Sequence, residues 1–190
     1  MRVIAGALKG RRLVTPRGRD TRPTADQVRI ALMDILTPWL PGARLLDLFA
    51  GAGGVGLEGL SRGAAHATFV ERDARALAAL RQNVATLGLA DVTRVLPFDV
   101  ARVLDRLARD GERFDVVFLD PPYDTTLTTD TMAALGDGRL VAPGGTVVAQ
   151  HLTKKAPVLT ELPALARVRA RRFGETTLTF FRAREYSPER

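Results

Sequence analysis

The sequence contains no cysteine among its 190 residues, and it has only two histidines. Without cysteine the chain can form no disulfide, no thiolate metal site, no iron–sulfur cluster and no cysteine nucleophile. This absence excludes methylation of a pyrimidine C5 through a covalent thiol, and radical chemistry on a cysteine-bound cluster. His66 and His151 are too few for a histidine-rich metal site, so we expect no bound metal.

Long hydrophobic runs are also missing. No stretch of about 18 apolar residues occurs, and no charged segment followed by an apolar one resembles a secretory signal. We therefore expect a cytoplasmic protein without a membrane partner. With 46% hydrophobic residues, the chain is long enough for one well-buried core and short for two domains.

The net charge of +7 is unevenly distributed. Residues 1–29 hold eight Lys/Arg against two Asp, residues 30–153 hold 11 against 15 acids, and residues 154–190 hold nine against four. An acidic middle between basic ends favours a polyanion-binding surface near the termini. The side chains that we predict to bind nucleic acid are Lys9, Arg11, Arg12, Arg17, Arg19, Arg22 and Arg29.

Apolar runs and helical stripes alternate along the middle of the chain. The patterns predict strands near 44–48, 66–71, 92–97, 114–119 and 144–150, and helices near 55–62, 73–87, 100–109 and 127–135. Such alternation implies a parallel sheet that is covered on both faces. Near the end, Leu165–Phe173 and Thr176–Phe181 predict an antiparallel hairpin around Gly174-Glu175, which a dinucleotide-binding sheet lacks.

The N-terminal 40 residues have a different pattern. Two short apolar segments separated by glycines predict a small hairpin, and a helix should follow that starts near Thr24 and stops before Pro38, with Arg29 near its exposed start. We therefore divide the chain into a basic extension over 1–40, an α/β domain over 41–184 and a tail over 185–190.

A glycine-rich loop, Gly51-Ala52-Gly53-Gly54-Val55-Gly56, follows the first predicted core strand. Glycines let the backbone approach a ligand at a helix N-terminus. Glu71 ends the next apolar run 20 residues after Gly51, where a ribose-binding acid belongs in a doubly wound sheet. The spacing also fits G-x-G-x-x-G, so a nicotinamide-dependent oxidoreductase is an alternative.

The tetrapeptide Asp120-Pro121-Pro122-Tyr123 directly follows the apolar run 114–119. Two prolines cannot continue a central strand, because proline fixes φ and lacks the N–H that the ladder needs. A carboxylate, a carbonyl and an aromatic ring are thereby held close together on a stiff turn. Such a turn suits a planar amine, whose N–H groups the oxygens accept while the ring stacks on the heterocycle. We predict a catalytic site made of Asp120, Pro121, Pro122 and Tyr123.

Taken together, the motifs resemble those of the bacterial 16S ribosomal RNA guanine-N2 methyltransferases of the RsmD type, over residues 1 to about 182. The segments that carry the resemblance are Gly6, Arg22-Pro23-Thr24, Val28-Arg29, Asp47-Leu48-Phe49-Ala50-Gly51, Gly56-Leu57-Glu58, Leu60-Ser61-Arg62-Gly63-Ala64, the Asp120 turn and Gly174-Glu175-Thr176. The family implies a class I methyltransferase fold, Rossmann-like, with a seven-stranded sheet and a terminal antiparallel hairpin, preceded by a small N-terminal hairpin and helix.

The resemblance also implies S-adenosylmethionine as methyl donor and the N2 amine of a guanine in 16S rRNA as acceptor, in the 30S subunit or an assembly intermediate, with a monomeric enzyme. By the same resemblance the donor-binding residues are Asp47, Phe49, Gly51, Gly53, Glu71, Arg72, Phe98, Asp99 and Asp120. After the fifth strand, where the family often has Glu-His, this chain has Gln150-His151. The roles of these two residues are left open by the sequence.

Two further alternatives stay open besides the oxidoreductase. A DNA adenine-N6 methyltransferase would use the same Asp-Pro-Pro-Tyr turn, although such enzymes usually need an extra target-recognition segment. A non-catalytic RNA-binding module would explain the basic ends alone.

Overall fold

Seven strands form one sheet in the computed structural model, which describes residues 1–16, 23–123, 125–157 and 162–184. The strands are β1 (Arg44–Leu48), β2 (His66–Val70), β3 (Thr93–Leu96), β4 (Phe114–Leu119), β5 (Val141–Leu152), β6 (Leu165–Phe173) and β7 (Thr176–Ala183). Their order is β3-β2-β1-β4-β5-β7-β6. The first five are parallel, and β7 pairs antiparallel with both β5 and β6, so the predicted sheet and terminal hairpin are confirmed.

Five helices connect the strands: α1 (Pro23–Leu36), α2 (Gly54–Ser61), α3 (Ala74–Leu87), α4 (Val100–Arg109) and α5 (Leu127–Leu135). Local residue choices explain where they begin and end. The Asp73 carboxylate accepts a hydrogen bond from the Ala76 N–H and caps α3, whose end is formed by Gly88 at a φ of 70°. Asp99 caps α4 in the same way through the Ala101 N–H.

Apolar residues cover both faces of the sheet, because each strand is buried between helices. One face packs against α4 and α5 through residues such as Leu104 and Met132. The other face packs against α1 through Leu32 and Met33, and against α2 and α3 through Leu57 and Leu80. A fully buried side chain of this kind contributes about 1.5–3 kcal/mol. Helices on both faces leave the carboxyl ends of the parallel strands as the open edge.

The N-terminal segment lies on the α1–α3 face of the sheet. A single antiparallel bridge joins Arg2 to Arg12, and the neighbouring side chains of Val3 and Leu13 are buried in the core beside Leu57. The predicted pairing of the two short segments is thus confirmed. The division into an extension over 1–40 and a domain over 41–184 stays a prediction, and the tail over 185–190 lies outside the described residues.

The strand β5 is longer than the sequence predicts. It begins at Val141 and not at Gly144, because an irregularity in its pairing with β4 accommodates Pro143. Phe114 pairs with Val141, but Val116 pairs with Thr146. Such bulges are where a sheet tolerates proline, which has no N–H to donate.

Candidate active site

The acidic side chains predicted from the sequence lie along one edge of the sheet. Asp47 lies near the end of β1, and Glu71, Asp99 and Asp120 follow β2, β3 and β4. Because these strands are parallel neighbours, their carboxyl ends meet at the same edge, which is where doubly wound sheets bind ligands. The fold therefore brings together residues that are more than 70 positions apart in the chain.

The glycine-rich loop turns sharply above β1. Phe49 adopts a φ of 62°, which is unusual for a residue with a side chain, and Gly51 and Gly53 have φ values of 58° and 84°. The Asp47 carboxylate accepts a hydrogen bond of 2.9 Å from the Gly56 N–H at the start of α2. A Cβ on Gly56 would lie 2.3 Å from the Phe69 ring, so no larger residue fits there without a shift.

Glu71 holds the same loop from the neighbouring strand. One carboxylate oxygen accepts the Gly51 N–H at 2.8 Å, and the other accepts the Asp73 N–H at 2.8 Å. Each oxygen has a second lone pair. The side chain can therefore shape the loop and still accept hydrogen bonds from a ligand's hydroxyl groups.

Asp47 is buried, and its pKa lies well above the ordinary value for an aspartate. Burial raises its pKa to about 7, the Gly56 hydrogen bond opposes this shift, and the charges of Asp120 and Glu71 add to it. Burial is the main cause of the rise, and the smaller contribution from charge comes from the other two carboxyl groups at this edge. Such a site attracts a cationic ligand, because the ligand's charge relieves the repulsion between the carboxylates.

The residues after β3 lie at the same edge of the sheet. Phe98 is exposed, and the Arg102 guanidinium lies 5.4 Å from its ring centroid. Asp99 forms a 3.2 Å ion pair with Arg72 while its other oxygen caps α4. Both partners are largely exposed, so this pair contributes little to stability.

The turn after β4 carries the predicted catalytic residues. Pro121 is buried and Pro122 is exposed, and the Thr125 hydroxyl donates a 2.8 Å hydrogen bond to the Pro122 carbonyl. The Tyr123 ring is 37% exposed at the sheet edge. A ring that is anchored by a proline turn and open on one side can stack on a planar base.

Gln150 is a site residue that the sequence analysis left without a role. Its Nε2 donates a 3.1 Å hydrogen bond to the Tyr123 hydroxyl from the end of β5. Because β4 and β5 are neighbours, the fifth strand orients the ring of the fourth strand's turn. The signal in the sequence was the departure from the family's Glu-His at this position.

Asn83 is a second residue that the sequence did not reveal. Its side chain is 1% exposed, and it exchanges two hydrogen bonds with the Val14 backbone, at 2.7 and 2.9 Å. It also donates to the Ala52 carbonyl at 3.0 Å. One buried amide thus ties the glycine-rich loop to the N-terminal segment. An asparagine inside an amphipathic helix carries no pattern that predicts such partners.

The residues that we predict to bind nucleic acid differ in their exposure. Lys9, Arg11 and Arg12 are exposed, and Arg11 also donates a 2.8 Å hydrogen bond to the Thr86 carbonyl. Arg17, Arg19 and Arg22 lie outside the described residues.

The expectation that Arg29 is exposed is wrong, because its guanidinium is 7% exposed. It donates to the Arg2 carbonyl and to Asp26, and it lies 3.9 Å from the buried Glu58 carboxylate. A buried carboxylate needs a nearby cation, and Arg29 supplies it together with Arg62. Its position therefore leaves it no contact with a surface-bound polyanion.

Comparison with known proteins identifies the family. Residues 1–182 match the family described as Conserved hypothetical protein 95. The chain belongs to this family. It is 39% identical to ribosomal RNA small subunit methyltransferase D of Escherichia coli over 142 residues, which cover 75% of this chain and 70% of that protein. The RsmD kinship and the methyltransferase class predicted from the motifs are confirmed.

Two further relatives match over nearly the whole chain. YlbH of Bacillus subtilis, provisionally described as an rRNA methyltransferase, is 35% identical over 184 residues and is covered completely, with 97% of this chain. The solved structure of YhhF from Escherichia coli, provisionally described as a methyltransferase, has a TM-score of 0.83 at 31% identity and covers 98% of this chain and 99% of its own.

Within residues 1–16, 23–123, 125–157 and 162–184, no helix is long and apolar enough to cross a membrane. The same part of the chain contains no group of three or more acidic or histidine side chains arranged to hold a metal ion.

Proposed function

We propose that this protein transfers a methyl group from S-adenosylmethionine to the exocyclic N2 amine of one guanine in 16S rRNA, within the 30S subunit or an assembly intermediate, as a cytoplasmic monomer. The observation that carries the proposal is the Asp120-Pro121-Pro122-Tyr123 turn at the acidic edge of the sheet, next to the glycine-rich loop. The RNA substrate follows from family membership and from the basic N-terminal segment.

The charges and hydrogen-bonding groups at the acidic edge of the sheet suit the donor. The convergence of Asp47, Glu71 and Asp120 suits a ligand that carries a sulfonium and an ammonium charge, and Glu71 retains lone pairs for ribose hydroxyls. When bound, S-adenosylmethionine supplies a methyl group already activated by the positive sulfur. The residues assigned to hold it are Asp47, Phe49, Gly51, Gly53, Glu71, Arg72, Phe98, Asp99 and Asp120.

The turn after β4 acts on the acceptor amine. An amine conjugated to a purine is a poor nucleophile, so its lone pair must be directed at the methyl group. The Asp120 carboxylate and the Pro121 carbonyl accept the two N–H bonds and thereby orient that lone pair, while Tyr123 stacks on the base. Holding the reacting atoms in line contributes on the order of 7–11 kcal/mol.

Asp120 has a second task as the bond forms. Positive charge develops on the amine nitrogen, and a nearby carboxylate stabilises it more in the transition state than in the ground state. The nitrogen then loses one proton, either to Asp120 or to solvent. No stronger base is required, because the new C–N bond makes that N–H acidic.

The exposed N-terminal cations form the proposed contact with the RNA backbone. Lys9, Arg11 and Arg12 are exposed on the α1–α3 face of the sheet. Arg17, Arg19 and Arg22, which belong to the same basic segment of the sequence, are assigned to this contact too. Arg29 is removed from the predicted set because it is buried.

Methyl transfer to defined substrates tests the function. Labelled S-adenosylmethionine is incubated with unmodified 30S particles, with naked 16S rRNA and with DNA, and the products are digested to nucleosides. We expect N2-methylguanosine from 16S rRNA in one of the first two, and none with Asp120→Ala. Label in adenine, or in DNA, would refute the proposal, as would tight binding of NAD.

A salt titration tests the RNA surface. Arg12→Ala should weaken 16S rRNA binding and reduce the slope of log affinity against log salt by about 0.7–0.9 per lost phosphate contact. Arg106→Ala is the matched control, because Arg106 is an exposed arginine on α4, on the opposite face of the sheet. Equal salt slopes for the parent and both variants would contradict the assignment.

A further inference from the structure

A cleft of about 520 Å³ lies over β5, β7 and β6, on the face of the sheet that α4 and α5 cover. Its volume falls within the range of about 300–1,000 Å³ that is typical of ligand pockets. A smaller cleft of about 310 Å³ shares His151 and Pro157 with it and reaches Tyr123. The two clefts therefore form one continuous groove that leads away from the Tyr123 ring. We call it the β7 groove.

The strand register explains which side chains line the β7 groove. Thr177 pairs with His151 of β5 and with Arg172 of β6, and directly paired residues project from the same face. The threonines of alternate positions, Thr177 and Thr179, therefore lie side by side on the groove floor. The paired residues at this end of β5 and β7 lie at the carboxyl edge, where the turn after β4 also lies.

A β-bulge places two arginines of β6 on opposite faces. Arg169 pairs with Phe180, but Arg167 pairs with Phe181, so Val168 is the extra residue. Arg167 lies two positions after the buried Leu165 and shares its face, and both residues line the groove. Without the bulge Arg169 would lie on that face as well, so the bulge turns Arg169 to the other face.

The groove floor presents ordered hydrogen-bonding groups. The Leu152 carbonyl lies 3.0 Å from His151 Nδ1 and can only accept, so Nδ1 carries a proton. In the neutral ring Nε2 then accepts the Thr179 hydroxyl at 2.9 Å. Thr153 and Thr177 share a 2.9 Å hydrogen bond between their hydroxyls. Each threonine oxygen keeps acceptor capacity for a ligand.

The charge of the groove is positive. Arg167 and Arg184 line it, both are exposed, and neither forms an ion pair with another residue in the described ranges. Among those ranges no aspartate or glutamate lines the cleft. Cations without acidic partners, next to several hydroxyls, match a phosphate with a ribose.

We propose that the β7 groove binds one unpaired nucleotide of the RNA that adjoins the target guanine, with Arg167 and Arg184 on its phosphates and the threonine hydroxyls on its sugar. This inference rests on the proposed function, since it needs an RNA whose target base lies at Tyr123. Single-stranded RNA next to a splayed-out base presents such a nucleotide. The N-terminal cations and the groove then hold the RNA from opposite faces of the sheet.

The chain offers a matched pair of variants to test this. Arg167→Ala and Arg169→Ala each remove one exposed arginine from β6, and only Arg167 faces the groove. Binding of unmodified 16S rRNA, transcribed in vitro, is measured by filter retention across a KCl series. Arg167→Ala should weaken binding about tenfold and reduce the salt slope by about 0.7, as for a lost phosphate contact on a single strand. Arg169→Ala should resemble the parent.

Thr177→Val supplies an independent second test, because it removes the hydroxyl and keeps the shape. It should weaken binding several-fold without changing the salt slope, because no charge is lost. Affinity for S-adenosylmethionine should be unchanged in all three variants. The melting temperature should be unchanged in the two arginine variants and slightly lower in Thr177→Val, which loses the hydrogen bond to Thr153.

The possible failures are distinguishable. Equal binding by Arg167→Ala and Arg169→Ala, with a parent that binds and methylates the RNA, overturns the inference and leaves the proposed function intact. The same comparison decides the inference if the parent binds RNA without methylating it. A parent that binds neither naked 16S rRNA nor unmodified 30S particles overturns both.

Discussion

Asp47, Glu71 and Asp120 converge at the acidic edge of the sheet, and we therefore expect donor affinity to depend on pH through Asp47. Its pKa of about 7 means that the carboxyl group is half protonated near neutral pH in the free protein. A bound cation favours the carboxylate, so binding S-adenosylmethionine should expel this proton. If only the ionised form binds well, the competent fraction is about a tenth at pH 6 and about nine-tenths at pH 8. We therefore expect affinity to rise about tenfold between pH 6 and pH 8.

Calorimetry can measure both quantities. Titrations in buffers of different ionisation enthalpy should show about 0.5 proton released per donor near pH 7. Asp47→Asn keeps an oxygen for the Gly56 N–H but cannot ionise, so it should lose the affinity change that Asp47 causes. The donor's own amino group titrates in both experiments. The difference between the parent and the variant therefore isolates the effect of Asp47. An identical pH profile in the parent and the variant would refute the reasoning.

The raised pKa of Asp47 also affects folding stability, which should fall as pH rises, whereas donor affinity should increase. The folded pKa of about 7 lies above the ordinary value of 3.8, so the folded protein binds the proton more tightly. Stability from this group is therefore fully present below about pH 4 and is lost as pH rises through 7, by on the order of 4 kcal/mol. Asp47→Asn should lack this decline, so its melting temperature relative to the parent should increase from pH 5 to pH 8.

The remaining predictions concern the acceptor turn and the donor loop. Asp120→Ala should reduce turnover at least about 100-fold with donor affinity within a few-fold, and Asp120→Asn should be milder because it keeps an acceptor oxygen; wild-type turnover in both would remove Asp120 from the mechanism. Glu71→Ala should weaken donor binding by about 1.5–3 kcal/mol, because it loses the ribose contact and frees the Gly51 N–H, and unchanged calorimetric affinity would contradict that role. Gln150→Leu should lower kcat roughly 2- to 10-fold without changing donor affinity, because Tyr123 loses the hydrogen bond by which Gln150 orients its ring. Tyr123→Phe should have the same effect, and additive losses in the double variant would show that the two residues act separately.

The sequence was sufficient for the order of strands and helices and for the edge at which the site lies. Strands β1 to β4 are apolar runs with helices between them, and such alternation leads to a parallel sheet. Acids that follow successive parallel strands must then share one edge, so Asp47, Glu71, Asp99 and Asp120 could be grouped without coordinates. The two prolines after Asp120 ended the strand for a local steric reason.

The tertiary structure decided what each of these groups contacts. Arg29 is buried because Glu58, on another helix, needs a cation, and no local pattern distinguishes it from the exposed Arg12. The raised pKa of Asp47 depends on burial beneath α2 and on charges from two other strands. The bulge at Val168 turns Arg169 away from the groove face that Arg167 shares with Leu165, although a regular strand pattern places both arginines on one face. Periodicity and turn residues act over a few positions and can be read along the chain, whereas burial and charge pairing depend on residues that meet only when distant elements pack.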